Sequence, residues 1–229
     1  MAWPDLSLDP DHSNFVSIFG RKGSGKSELA KAYAISYPGP ALLIDSTADV
    51  GDLGGRFVDF PPSPPDEWPT DDDGEELSVR IVPDRLSPSS LDDVDRWIGL
   101  RYFASKGDEK RRTPAKPAMI FVDELREVAK ANMVKPHFDL VLNMGRHAKL
   151  TLLMCGPRTV GIYPLVLSQA DLAFFFALPH EADQERAAAT LGIPVREFAA
   201  LVNGLELHEF LGFEQRSHEL AVFPPLVLR

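Results

Sequence analysis

Between an apolar pentapeptide, FVSIF at 15–19, and a stretch with helical spacing, SELAKAYAISY at 27–37, the chain places GRKGSGKS at 20–27. Gly20, four intervening residues, Gly25, Lys26 and Ser27 meet the spacing rule of a phosphate-binding P-loop, and strand before with helix after is the context the rule requires. The chemistry explains the residue types. Glycines at 20, 23 and 25 let backbone N–H groups turn inward around phosphate oxygens, and the N-terminus of the following helix adds its dipole. A lysine at 26 reaches the β and γ phosphates, and a serine at 27 ligates Mg²⁺. The nucleotide-binding set predicted here is Gly20, Lys22, Gly23, Ser24, Gly25, Lys26, Ser27 and Glu28. The expected ligands are ATP, or GTP, with Mg²⁺.

The rest of the chain alternates short apolar runs with helical stretches. ALLID at 41–45, LSVRIV at 77–82, AMIFVDEL at 118–125, LTLLMCG at 150–156 and DLAFFFAL at 171–178 read as buried strands. SPSSLDDVDRWIGLRYFAS at 87–105 reads as an amphipathic helix with Ser87 as N-cap and acids in its first turn. Helical stretches are expected from the end of the 118–125 run to about His147, and a short helix at most within 157–170. Gly192 and Gly204 each stop a further helix, and 205–213 with 218–223 alternates like a terminal hairpin. The segment FPPSPPDEWPTDDDGEE at 60–76 is rich in Pro and Asp, which excludes a helix or central strand and predicts an exposed loop. Strands alternating with helices predict an α/β fold with a mainly parallel sheet covered on both faces and the hairpin on one edge. The whole of 1–229 is expected to form one domain, with the core at about 15–180 and the C-terminal helices and hairpin at about 181–229.

Composition narrows the function. Lys plus Arg number 24 against 34 Asp plus Glu, a net charge of −10, which argues against a surface coated with nucleic acid but leaves room for a basic loop or pore. The run KRRTPAK at 110–116 could touch phosphates, yet a charge run of this kind also suits a solvated loop. The apolar runs fall short of the roughly 20 residues that span a bilayer, and the N-terminus has no basic region followed by an apolar one, so the expected location is the cytoplasm. Cys155, the one cysteine, sits in an apolar run and reads as an inert core thiol. The six histidines lack ligand spacing, so structural zinc is not expected.

A second acidic element decides between classes of P-loop protein. Asp123 and Glu124 end a buried strand, and ligands of parallel sheets gather at the carboxyl ends of the strands. Asp123 is placed to hold Mg²⁺, mostly through water, and Glu124 to polarise an attacking water as general base. An acid at a strand end can also be merely structural, but behind a P-loop the pair favours hydrolysis over phosphoryl transfer to a small-molecule acceptor. By sequence two strands lie between the P-loop and Asp123, which suits the additional-strand, catalytic-glutamate class and a RecA-like fold.

Several stretches resemble the FtsK and HerA superfamily of DNA-translocating ATPases, above all the genome-packaging ATPases of tailless, membrane-containing double-stranded DNA viruses. ALLIDSTAD is similar to the second strand of that family with its terminal acid, Asp45; FVDEL to its Walker B; NMGRHAKLTLLMCGPRTV to its glycine-arginine turn, strand and sensor; LVLSQADLAFFFAL to the stretch that follows. The resemblance covers about 15–180 and implies a homo-oligomeric ring, a hexamer, acting on double-stranded DNA, with capsid or portal-vertex proteins as partners and the virion vertex as a possible site. It also implies roles for Arg146 as an arginine finger toward a neighbour's nucleotide, and for Asp45 in positioning water or metal. Where the family carries a glutamine followed by arginine, this chain has Pro157 and Arg158, leaving Arg158 as the candidate replacement for the sensor. An ATP-dependent assembly or secretion protein with the same site but no DNA stays open as an alternative reading, as does a small-molecule kinase.

Overall fold

A computed structural model describes residues 13–226 apart from 49, 51, 52, 54, 84–87 and 108–113. Ser87 and residues 110–113 of the basic run therefore lie outside the described residues, as does the first part of the N-terminus. The elements in chain order are β1 (Phe15–Phe19), α1 (Lys26–Ser36), β2 (Ala41–Asp45), β3 (Val58–Phe60), β4 (Val79–Ile81), α2 (Pro88–Lys106) and β5 (Ala118–Asp123). There follow α3 (Leu125–Val128), β6 (Ala129–Lys130), β7 (Met133–Val134), α4 (Pro136–Met144), a 3₁₀ turn over Gly145–Ala148, β8 (Leu150–Gly156) and α5 (Pro164–Ser168). The chain closes with β9 (Leu172–Phe175), α6 (Glu181–Leu191), α7 (Val195–Asn203), β10 (Phe210–Glu214) and β11 (Glu219–Phe223).

Nine strands form one sheet in the order β11-β10-β9-β1-β8-β5-β2-β4-β3. From β9 through β3 every neighbouring pair is parallel, and the antiparallel β10 and β11 extend the β9 edge, as the hairpin pattern predicts. β8 lies between β1 and β5, so the strand interposed in space comes later in sequence than both. Three strands, β2, β3 and β4, rather than two, separate the glycine loop from Asp123 along the chain. β3 escaped the sequence reading because Val58 and Asp59 are exposed on a three-residue edge strand that buries no face.

The alternating side chains of the central strands feed two cores. Phe15 and Phe19 of β1, Ile120 and Val122 of β5, and Leu150, Leu152 and Met154 of β8 pack with Trp97, Phe138 and Phe198 from the helices on one face. Val16, Ile18, Met119, Phe121, Leu153 and Cys155 pack on the other with Leu29, Tyr33 and Ala34 of α1, and the hairpin's Phe210 and Phe223 extend that core. The end of α1 is capped from outside: Arg56 donates to the Ala34 and Ile35 carbonyls at 2.7 and 3.2 Å and also to that of Gly39, satisfying acceptors a helix end leaves open.

Three expectations need correction. The Pro and Asp-rich segment 60–76 has neither helix nor central strand, but it is not simply exposed. Trp68 is buried, its ring edge-on to Trp97 at 5.7 Å and under the Arg101 guanidinium at 4.3 Å, while Trp97 Nε1 donates to the Pro62 carbonyl at 2.8 Å. One aromatic anchor thus outweighs sixteen residues of loop chemistry. The stretch after β5 is not continuously helical either: α3 is a single turn, and β6 and β7 form a two-stranded hairpin before α4 begins at Pro136. Proline at this N1 position starts a helix well, and Asp95 of α2 accepts from the N–H groups of His137 and Phe138 at 3.1 and 3.0 Å, replacing a local cap. The α2 helix starts at Pro88, so Asp92 and Asp93 fall in its second turn rather than its first. Among the described residues no helix is long and apolar enough to cross a membrane.

Candidate nucleotide site

The glycine loop leaves β1 at the carboxyl edge of the sheet and is pinned there by its backbone. Gly20 N donates to the Gly156 carbonyl at the end of β8 at 3.3 Å, and Arg21 N donates to the Ala177 carbonyl beyond β9 at 3.1 Å. Two glycines are dictated by geometry. A Cβ on Gly20 would lie 2.5 Å from Phe176 Cβ, and Gly25, at φ 105°, holds the left-handed conformation that starts α1. Within the loop, Lys26 Nζ donates to the Arg21 carbonyl at 3.0 Å, while Ser24 Oγ is buried without a hydrogen-bond partner. A buried polar atom left unpaired costs about 1–3 kcal/mol, a cost that a polar occupant of the loop would offset. Gly23, Ser27 and Glu28 complete the loop and first turn, and Lys22 is exposed beside them.

β5 delivers its acids to the same edge, one strand beyond β8. At about 4.8 Å per strand spacing, the ends of β1 and β5 stand about 10 Å apart, the span of a phosphate, a cation and a water. Asp123 is buried and its Oδ2 accepts from Thr47 Oγ1 at 2.9 Å; Glu124 follows at φ 60°, ψ 61°. A left-handed glutamate is strained by about 1–3 kcal/mol, and such strain concentrates where a side chain must be aimed. Burial holds the Lys26 ammonium below the ordinary lysine value of 10.5, and the nearby negative groups, Glu124 and Asp123 among them, push it partly back. Burial likewise pushes the Cys155 thiol well up, so it is an inert neighbour of the site. Ser27 hydroxyl and Asp123 carboxylate are hard oxygen donors and fit Mg²⁺, an ion that takes one or two carboxylates and the substrate's own phosphates.

The remaining sequence candidates fall elsewhere. Asp45 is at the carboxyl end of β2, in register with Asp123, but fully buried and bound by Arg80, whose Nη2 and Nε donate to its Oδ2 at 2.8 and 3.1 Å. Arg158 leaves the carboxyl end of β8 and turns to α6, donating to Asp183 Oδ2 at 2.9 Å. Arg146, in the turn before β8, is at the opposite, amino edge. There it donates to Gln169 Oε1 and carbonyl at 3.0 and 2.6 Å and to Asp171 Oδ2 at 3.0 Å, with its guanidinium 4.3 Å over the Phe15 ring. The structure thus joins residues 20–28 with 123 and 124, sets Asp45 beside Asp123 by strand register with its carboxylate bound to Arg80, and separates Arg146 from its own subunit's loop.

Three contributors had weak or no sequence signal. Thr47 sits two residues past a strand acid and could have been suspected on that ground. Phe176 looked like strand core but packs against both Gly20 and Gly25. His208, at φ 68°, brings its Nδ1 to 3.2 Å from the Ser24 carbonyl. A contact across 184 residues leaves no local pattern.

Strand order, interposed β8 and the loop-helix turn at β1 define an additional-strand P-loop NTPase fold with a C-terminal hairpin at the sheet edge. No family model and no curated protein sequence matches the chain. Solved structures do. The genome-packaging NTPase B204 from Sulfolobus turreted icosahedral virus 2, in complex with AMPPCP, superposes with a TM-score of 0.68 at 22% identity over 96% of this chain and 100% of that one. ATPases 2 and 3 of EccC from Thermomonospora curvata, bound to a signal sequence peptide, give 0.62 at 13% identity over 97% of this chain and 38% of theirs. The pCW3 conjugation coupling protein TcpA gives 0.60 at 13% over 94% and 61%.

Proposed function

We propose that this chain is an ATP-hydrolysing motor that drives double-stranded DNA, packaging a viral genome into a preformed capsid as a ring of identical subunits, a hexamer. The observation that carries the reading is the convergence of the 20–28 loop with Asp123 and Glu124 on one sheet edge, in a fold shared end to end with a genome-packaging NTPase.

In this reading the loop N–H groups and Lys26 hold the triphosphate, and Ser27 and Asp123 hold Mg²⁺, which neutralises phosphate charge when bound. Glu124 takes a proton from water as the water oxygen bonds to the γ-phosphorus and the bond to the ADP oxygen breaks. Charge that develops on the γ-phosphoryl group is met by Lys26, and within a ring by an arginine of the neighbour. Arg158, at the carboxyl edge, and Arg146, at the amino edge, are the candidates. Capsid or portal-vertex proteins are the proposed further partners, and the cytoplasm or virion vertex the place of action.

A second reading, ATP-driven assembly or secretion without DNA, uses the same site. The shared fold with EccC and the net charge of −10 favour it. ATP turnover measured with and without duplex DNA separates the two. The motor reading expects stimulation by DNA that weakens as salt rises, and turnover indifferent to duplex DNA at low salt would sink it.

A further inference from the structure

A cleft of about 220 Å³ opens beside the first turn of α1, lined by Gly25, Glu28, Phe176, His208, Phe210, Pro225 and Leu226. We propose that this cleft receives the base and ribose of a nucleoside triphosphate, so that the C-terminal hairpin and residues 224–226 form the nucleoside half of the site. The proposal rests on the nucleotide reading of the 20–28 loop and assigns what that loop leaves open.

Direction comes from the strand order. The acids that would act on the γ-phosphate end β5, which lies on the β8 side of β1. A triphosphate cradled at the end of β1 with its γ end toward β5 must run its α end, and the nucleoside beyond it, the other way. On that side lie β9, β10 and β11, and the cleft is there. Gly25 and Glu28 form its near wall, and the α-phosphate end of a ligand at a helix N-terminus lies against these residues.

The far walls suit a flat aromatic ring. Phe176 and Phe210 pack on one another in the core with ring centroids 5.0 Å apart, and Phe223 backs Phe210 at 5.4 Å, so the apolar wall of the cleft is rigid before anything enters. His208 joins the two halves of the site: its imidazole lines the cleft, and Nδ1 meets the carbonyl of Ser24 in the phosphate loop. A left-handed backbone at His208 holds the ring there. Pro225 and Leu226 close the rim without polar groups, leaving Glu28 and His208 as the polar lining.

The test compares ATP with inorganic tripolyphosphate, which lacks base and ribose, in binding to the full chain and to two rim variants, Leu226→Trp and His208→Asn. Asparagine tolerates the left-handed backbone. Leu226→Trp should fill the slot and weaken ATP by about tenfold or more, the loss of one base contact, with tripolyphosphate affinity unchanged. His208→Asn, which also gives up the contact to the Ser24 carbonyl, should weaken both ligands, ATP the more. Unchanged ATP affinity in Leu226→Trp overturns the proposal, as does an equal loss of ATP and tripolyphosphate in both variants. If the unaltered chain binds neither ligand, it is the loop's reading that fails.

Discussion

The two ends of β1 and β8 hold polar residues of opposite character. At the amino end, Arg146 has all it needs inside the subunit: three hydrogen bonds to Gln169 and Asp171 and the Phe15 ring beneath its guanidinium. Asp171 in turn accepts from Phe15 N at 2.8 Å, tying the start of β1 to the start of β9. At the carboxyl end, Ser24 Oγ is buried without a partner, Lys26 is held below its ordinary basicity, and Glu124 sits in a strained conformation. The amino end is arranged as finished structure, whereas the carboxyl end carries an unpaired hydroxyl, a desolvated ammonium and a strained backbone. The difference can be tested from both sides.

The largest effect is expected at Glu124. Glu124→Gln keeps the shape and removes the proposed base, so ATP turnover should fall by about 10² to 10⁴, the usual worth of a general base, while ATP binding measured by titration is retained. Turnover within a factor of about ten of the unaltered chain would take the carboxyl end out of the chemistry. Next in size is the pair beside it. Arg80→Met leaves the fully buried Asp45 carboxylate without its cation, at a cost of about 3 kcal/mol, read as a shift in the urea midpoint. Adding Asp45→Asn should return most of that loss. A double variant no better than the single one would show that Asp45 serves something other than Arg80, as its place in register with Asp123 allows.

Arg146 probes the other end. Its pair with Asp171 is more than a third exposed on the arginine side, so solvent screening limits Arg146→Ala to about 1 kcal/mol of stability. The intramolecular ties predict turnover per folded subunit within a factor of about ten of the unaltered chain. A fall of about 10³ or more, recovered when Arg146→Ala subunits are mixed with Lys26→Ala subunits, would break the comparison and give Arg146 to a neighbour's nucleotide.

What the sequence made legible follows the same division. FVSIF, ALLID and LTLLMCG are strands with the bounds read from them, because a buried parallel strand is a continuous apolar run and glycine or an acid marks its end. The places of the 20–28 loop and the 123–124 acids were legible for a related reason: each candidate residue sits at the end of an element whose period is visible. Trp68, the β6–β7 hairpin and His208 were not. Trp68 is buried by Trp97 and Arg101 of α2, and His208 is aimed by the fold of β10 against β9, so long-range packing decides these two. Arg146 was legible as a residue type beside a glycine, but its surroundings were not, since Asp171 and Phe15 approach it from two other parts of the chain.

The smallest effect separates strain from chemistry at a single position. Glutamine at 124 removes the base but keeps a Cβ in the left-handed conformation, whereas glycine removes the base and the steric conflict together. Glu124→Gly and Glu124→Gln should therefore lose turnover alike, yet the glycine variant should be the more stable by about 1 kcal/mol, after glycine's larger unfolded-state entropy is set against the relief of strain. Chemical denaturation of the two variants side by side reads that difference without reference to nucleotide. If the glycine variant is no more stable than the glutamine one, the φ of 60° carries no net cost, and the carboxyl end differs from the amino end in the unpaired Ser24 hydroxyl and the desolvated Lys26 alone.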